Sequence, residues 1–322
     1  MRIENGELRI ERLTKRWVER AVFAFIAVVP ERWLKHLLFL LKSRPELTDL
    51  WGYHIRPIHY YDPVPDFRMI SEDSLLQSRK STAINYQESQ QAELIRYLGM
   101  RFGDELRAQI SSVDGFDFSN SFFSGFDAAV YFSVIRHLLP ARIIEIGAGY
   151  STQIAALALQ ANSMEGRGCD IISIEPYPEA RLLEFGVGHE LVQERVQDLP
   201  LTFFDQLCEN DILFIDSSHV ASTGSDVCFE YLQILPRLKP GVWVHVHDVF
   251  LPMDYPPKWV LERRLAFNEQ YLLEAFLAYN KSFVIKIANA MLVRESLEEC
   301  QSLFGGRNLE NSASSFWMKK ED

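Results

Sequence analysis

At 322 residues, with 48% apolar residues and a formal net charge of −11, the chain can bury a large core without covalent staples. That acidity excludes a nucleic-acid binder whose affinity comes from neutralising phosphates. Cys169, Cys208, Cys228 and Cys300 are scattered and form no C-x-x-C pair, which excludes a disulfide framework or zinc knuckle and fits reduced cysteines in the cytoplasm.

The charge is uneven: residues 1–44 hold ten Lys/Arg and five Asp/Glu, a net +5 against −16 for the remainder. Along this basic arm apolar clusters alternate with cations. Trp17, Val18, Val22, Phe23, Phe25 and Ile26 come first, then Trp33, Leu34, Leu37, Leu38 and Leu41 beside Arg32, Lys35 and Lys42. The intervals predict two amphipathic helices broken at Pro30. The apolar run at 21–29 is too short to span a bilayer, and no small-residue cleavage pattern follows it. Such a pair either lies on an anionic membrane surface, docks a partner or a second copy, or packs on the body as a helical extension.

Residues 52–67, GYHIRPIHYYDPVPDF, break the helical pattern with prolines and bring together His54, His59, Tyr60, Tyr61, Asp62 and Asp66. The segment reads as a fixed surface loop or as a lid; as a lid, His59, Tyr60 and Tyr61 meet substrate. Polar helices follow over 70–110, then a turn-rich join at 114–127 and a helix, AAVYFSVIRHLL, leading into the core. These divisions place an extension at 1–117 and the main domain at 118–322.

The core begins with ARIIEIGAGYST at 141–152, a buried strand, a two-glycine turn and a helix start. Gly147 and Gly149 allow close approach of a ligand to the main chain, and the N–H groups near Ser151 can receive polar ligand atoms. Glu145 is the last acid before the turn. The third small position of a dinucleotide fingerprint is taken by Thr152, so this G-x-G stands apart from G-x-G-x-x-G/A. Four further strands are predicted within 170–176, 189–198, 211–219 and 241–250, each ending in polar residues. Alternation of strands and helices predicts a parallel sheet with those ends gathered on one rim. The tail reads as a helix over 263–280, a strand at 282–289, a helix around Leu297 and a last strand at SSFWMKK.

With EIGAG as a first motif, Glu175 in the place of a ribose-binding acid and IDSSH as a fourth motif, the chain from about residue 118 onward resembles class I S-adenosylmethionine-dependent methyltransferases. It is most like the bacterial branch that includes macrocin-type sugar O-methyltransferases, and more distantly like the metal-dependent catechol type. The stretch at 59–66 is similar to an H-Y/F-Y-x-P-x-P-D segment upstream of the catalytic domain in that branch. The resemblance implies an α/β, Rossmann-like sheet, mostly parallel with the last strand antiparallel, behind a helical N-terminal extension. It implies S-adenosylmethionine as cofactor, with Glu145, Gly147, Gly149, Ser151, Thr152, Glu175, Asp198 and Asp216 at its site. Glu175 would accept the ribose hydroxyls and Asp198 would lie by the adenine edge. Asn120, Phe123, Asp127 and Tyr131, on or near the helix before the first strand, are candidates for the cofactor's amino-acid end; each is equally a cap or a packing residue.

Methyl transfer from a sulfonium needs an aligned acceptor and a place for its proton. A divalent cation would lower the pKa of an alcohol acceptor. Asp216, His247 and Asp248 occupy the positions where metal-dependent relatives carry acids, and His247 in place of an acid opens the choice from magnesium to manganese, iron or no metal. His219, three residues after Asp216, is the expected general base, with Asp216 and His247 beside it as catalytic residues. Strand alternation sends His245 and His247 to the same face, where either could be a buried, hydrogen-bonded histidine. HVHD departs from the metallo-hydrolase pattern H-x-H-x-D-H, and Ser217 and Ser218 lack the G-x-S-x-G of a nucleophile elbow. Two function classes therefore stand: an O-methyltransferase of a small polar metabolite, sugar or natural-product or peptide scaffold, and an inactive methyltransferase-fold scaffold that binds a membrane or partner through its basic arm.

Overall fold

Five short runs rich in isoleucine, valine and aromatic residues, too short for helices and closed by turn residues, lie side by side in parallel. They are β1 (Arg142–Ile146), β2 (Asp170–Ile174), β3 (His189–Val192), β4 (Ile212–Ile215) and β5 (Trp243–Val246). The computed structural model describes residues 28–112, 120, 122–179, 189–304 and 309–322. The first predicted arm helix and half of the join at 114–127 lie outside these residues.

Two further strands, β6 (Phe283–Ala288) and β7 (Phe316–Lys320), complete a sheet of order β3-β2-β1-β4-β5-β7-β6. β7 runs antiparallel between β5 and β6. The sheet is Rossmann-like, mostly parallel with its last strand antiparallel, as the resemblance implies. The strand order reverses beside β1, which pairs with β2 on one side and β4 on the other. At such a switch point the carboxyl ends of neighbouring strands diverge and leave a crevice.

The chain divides between Asp66 and Phe67 into two compact units. In the first, α1 (Glu31–Lys42) starts directly after Pro30 and carries a Glu31–Lys35 ion pair of 2.6 Å, and α2 (Pro45–Leu50) has proline in its first turn, where no N–H is needed. α1 buries no residue. In the second unit, α3 (Glu72–Leu76) is capped by Ser71, whose hydroxyl accepts from the Ser74 N–H. Next comes α4 (Glu88–Ser112), whose Ile95, Leu98, Phe102 and Leu106 enter the same core as β1 and β4. That burial is why the boundary falls at 66/67 and not at 117/118: α4 is part of the main body.

α5 (Gly125–Leu138) is buried over most of its circumference, and α6 (Tyr150–Met164) leaves the glycine turn after β1. After β4 a helix, α7, opens at Asp226–Phe229, widens into a π-type turn at Glu230–Ile234 and closes at Leu235–Arg237. The helix predicted over 263–280 is shorter, α8 (Glu269–Leu277), because the Asn268 side chain bonds both the N–H and the carbonyl of Ala221 and holds the preceding residues outside the helix. α9 (Asn289–Glu295) and α10 (Leu297–Phe304) follow β6. No helix of the described residues is long and apolar enough to cross a membrane.

Candidate functional site at the carboxyl ends of the parallel strands

The turn after β1 is braced from within. Glu145 is fully buried; its carboxylate accepts from Thr152 Oγ1 at 2.8 Å, Ser173 Oγ at 3.1 Å and Tyr131 OH at 3.3 Å. Burial raises its pKa to about 7, against the opposing hydrogen bonds from Thr152, Ser173, Tyr131 and Ser151. Thr152 Oγ1 also accepts from the Gly149 N–H. Glu145, Ser151 and Thr152 thus shape the turn with buried side chains, and the backbone is what the turn presents outward.

The two glycines differ. Gly147 has φ +83°, and a Cβ there would stand 2.1 Å from the Asp216 carbonyl oxygen. That close approach is fixed by the Asp216 N–H bonding the Ile146 carbonyl at 2.8 Å. Gly149 is extended, and a Cβ built on it meets nothing within 4 Å. Gly147 serves the protein's own packing, whereas Gly149 leaves room for a ligand against the backbone. Glu175, just beyond β2, accepts from the Tyr177 N–H at 2.8 Å. Asp198 forms a fork with Arg195 at 2.7 and 2.8 Å on the surface.

Asp216, His219, His247 and Asp248 come together beyond β4 and β5. His219 Nε2 lies 3.4 Å from Asp216 Oδ1 and 3.6 Å from Asp248 Oδ2, and its Nδ1 lies 2.8 Å from Glu269 Oε2. One ligand-type atom from each of Asp216, His219 and Asp248 falls within 4.8 Å of the others, which makes them a candidate cation-holding set. His247 sits behind this set. Its Nδ1 is 3.3 Å from Asp216 and 3.6 Å from Asp248, and its Nε2 faces Ser314 Oγ at 3.4 Å and Asp127 at 3.7 Å. The converging set therefore contains His219, where the sequence pattern pointed to His247.

The electrostatics follow from burial and neighbours. Burial disfavours a charged His219, but the hydrogen bonds and charges of Asp216 and Glu269 prevail and raise its pKa well above the imidazole range. His247 rises too: burial is outweighed by the charges of Asp248 and Asp216 and the hydrogen bonds to Asp127 and Asp216. Asp216 falls below the carboxylate range because the charge of His247 and hydrogen bonds from His219 and His247 overcome its burial. Asp248 is raised, by burial first. Asp127, Asp216, Asp248 and Glu269 together leave an excess of acid over the two imidazoles, a donor set suited to a divalent cation or to a ligand's own positive charge.

His245 is the core histidine of the pair. It is fully buried, stacks on Trp317 with ring centroids 4.0 Å apart and places Nε2 2.8 Å from Ser315 Oγ. Burial, then the charge of His247, lowers its pKa well below the usual range. Of the pre-strand candidates, Phe123 and Tyr131 are packing residues, and Asn120 caps its own turn through the Phe122 and Phe123 N–H groups. Asp127 accepts from Asn289, Ser314 and Ser315 and so ties α5 to the loop before β7. Glu269, Ser314 and Tyr231, whose hydroxyl donates to Glu269 Oε1 at 3.0 Å, escaped the sequence reading. Glu269 stands 50 positions after His219, and no local spacing links them.

A cavity of about 1090 Å³ opens over this cluster. Asp127, Asp216, His219, His247, Asp248 and Ser314 line it, with Phe250, Trp259 and Phe267 forming an aromatic wall. His59, Tyr60 and Tyr61 belong to the first unit, where they form an exposed ring cluster with centroids 4.0–5.3 Å apart.

Residues 144–249 match the family model described as a methyltransferase domain. An uncharacterised protein of Archaeoglobus fulgidus is 29% identical over 211 residues, 58% of this chain and 89% of its own. Among solved structures, the O-methyltransferase TomG of Streptomyces achromogenes, involved in tomaymycin synthesis and in complex with its methyl donor, is 16% identical. It covers 79% of this chain and 100% of its own at a TM-score of 0.40. CalS11, a TDP-rhamnose 3′-O-methyltransferase of calicheamicin biosynthesis, is 11% identical over 79% of this chain and 100% of its own, with a TM-score of 0.41. A cmcI structure with magnesium and S-adenosylmethionine is 17% identical over 61% and 72% of the two chains, with a TM-score of 0.33. In the order of its motifs and strands, the chain resembles class I S-adenosylmethionine-dependent methyltransferases.

Proposed function

We propose that this chain, whose residues 144–249 match a methyltransferase domain, moves a methyl group from S-adenosylmethionine to an oxygen of a small polar metabolite, sugar or natural-product scaffold. The observation that carries the oxygen-directed chemistry is the His219 ring, set between Asp216 and Asp248 and braced on Nδ1 by Glu269 at 2.8 Å. Gly149 offers open backbone to the cofactor; in this reading Glu175, just beyond β2, would accept the ribose hydroxyls and Asp198, in the turn that follows β3, would lie by the adenine edge. The neutral form of His219, in equilibrium with the imidazolium that Asp216 and Glu269 favour, takes the acceptor's proton on Nε2, so turnover rises with pH. Glu269 holds the ring's orientation and stabilises the resulting imidazolium, and the aromatic wall limits water.

A second reading keeps the reaction and changes the role of His219. Asp216, His219 and Asp248 would together hold a divalent cation, magnesium first and manganese or iron next, which would lower the pKa of the acceptor hydroxyl. Glu269 would then orient the His219 ring as a ligand, the usual role of a carboxylate beside such an imidazole. Chelator treatment and metal add-back separate the two. Turnover that persists in excess chelator and falls about a hundredfold in Glu269→Ala makes His219 the base. Turnover abolished by chelator and restored by one metal makes it a ligand. Indifference of the protein to S-adenosylmethionine and S-adenosylhomocysteine in calorimetry would overturn both.

We further propose that α1 attaches the protein to an anionic membrane surface. Its Trp33, Leu37 and Leu40 are exposed on one face, with Arg32, Lys35 and Lys42 on the other.

A further inference from the structure

The charges that line the cavity are segregated by depth. Asp127 is buried and Asp216 and Asp248 are half-buried at its floor, whereas Lys258, Arg263 and Arg294 are exposed; Asp254, the remaining acid of the lining, is engaged by Arg79 at 3.8 Å and by the Tyr271 hydroxyl. Lys258 and Arg263 lie in and directly after the turn Lys258–Glu262 that follows β5, and Arg294 lies in the last turn of α9. Many surface cations of this acidic chain have taken a carboxylate partner: Arg96 with Glu299, Arg107 with Asp104 and Arg237 with Asp205, each within 2.8 Å. Among the described residues no carboxylate lies within ion-pair distance of Lys258, Arg263 or Arg294. The Arg263 guanidinium rests 5.7 Å from the centre of the Trp259 ring, a contact that orders the group and leaves its N–H edge able to bind an anion. Phe250 and Phe267 meet Trp259 edge-on at 5.3 and 6.0 Å, and Phe267 lies 5.0 Å from the His219 ring, so a continuous run of aromatic rings connects Arg263 with the acidic cluster.

Building on the methyl-transfer reading, we propose that the acceptor is an anion: a hydroxylated molecule whose phosphate or carboxylate group is held by Lys258, Arg263 and Arg294 while its hydroxyl points to His219. The floor repels an anionic group and the rim attracts it, so the field of the cavity aligns such an acceptor with the reacting oxygen inward. A neutral sugar would gain no such alignment.

The probes are inorganic pyrophosphate, citrate and neutral myo-inositol, titrated calorimetrically into chelator-treated full-length protein, so that capture of an anion by bound metal is excluded. Pyrophosphate or citrate should bind and myo-inositol should not. Lys258→Gln/Arg263→Gln/Arg294→Gln should weaken the anion about tenfold or more, with S-adenosylhomocysteine affinity within about threefold of wild type as the check on folding. Neutralising the ion-paired Arg96, Arg107 and Arg237 should leave anion binding unchanged. Stronger binding of pyrophosphate assigns a phosphate-bearing acceptor, and stronger binding of citrate a carboxylate-bearing one. No binding of either anion, or equal binding by the cavity variant, overturns the proposal. If wild-type protein ignores S-adenosylhomocysteine yet binds the anions at these residues, the methyl-transfer reading falls and the anion site stands.

Discussion

Gly147 and Gly149 are two residues apart and do different work, which a pair of substitutions can read separately. Alanine at 147 must adopt φ +83° and push against the Asp216 carbonyl, 2.1 Å from the new Cβ. Gly147→Ala should cost about 2 kcal/mol or more of stability and displace Asp216 with it. Alanine at 149 meets nothing of the protein within 4 Å, so Gly149→Ala should unfold in urea within about 0.5 kcal/mol of wild type yet bind S-adenosylhomocysteine less tightly. Unchanged binding in Gly149→Ala would show that the cofactor does not approach that backbone. Glu145 supplies a pH test of the same turn. Its carboxyl is raised from 4.5 to about 7 by burial, so between those values the unfolded chain has released a proton that the folded chain keeps. Stability from this group is full below pH 4.5, falls as pH rises and levels off above 7, by roughly 3 kcal/mol at about 1.4 kcal/mol per pH unit. Glu145→Gln does not titrate, so wild type should lose up to that amount relative to the variant between pH 5 and pH 8. A constant difference in urea midpoints would mean that Glu145 is ionised throughout.

At the scale of elements, alternation along β5 puts His245 and His247 on one face, and only the neighbouring strand separates their fates. β7 inserts beside β5 in antiparallel register, which sets Trp317 opposite His245 and covers it, while His247 lies just beyond the strand and lines the cavity. His245→Phe keeps a flat ring against Trp317 and should leave turnover within about threefold of wild type, with a modest loss of stability from the unpaired Ser315 hydroxyl. A hundredfold loss of turnover with intact cofactor binding would give His245 a chemical role. The same contrast marks what can be read from a linear chain. The strand ends, the glycine turn, Asp216, His219 and Asp248 were legible because each lies within a few residues of a strong periodic signal. The pairing of His219 with Glu269, and of Asp127 with Ser314, was not, since those partners meet only through the packing of α8 and the loop before β7. The helix at 263–280 was overextended for a similar reason: Asn268 spends its side chain on Ala221, a residue 47 positions earlier.

For the whole molecule the uneven charge makes a testable statement about location. A chain of net charge −11 is repelled by an anionic membrane, yet residues 1–44 carry a net +5, and α1 within them buries none of its residues. Trp33 and Leu37 are 59% and 51% exposed, so transfer of this face into the headgroup region would remove apolar area from water at about 25 cal/mol per Å². The cations on the opposite face would add about 1 kcal/mol each near an anionic surface. Attachment should therefore need both contributions. Full-length protein should float with vesicles containing anionic lipid and remain behind with purely zwitterionic ones. Trp33→Ser/Leu37→Ser should abolish flotation at any salt concentration, whereas Arg32→Gln/Lys35→Gln should abolish it only when salt screens the remaining charges. Flotation that survives the apolar substitutions would place attachment elsewhere in the chain, and protein that never floats would leave α1 as a surface for a second copy or another protein.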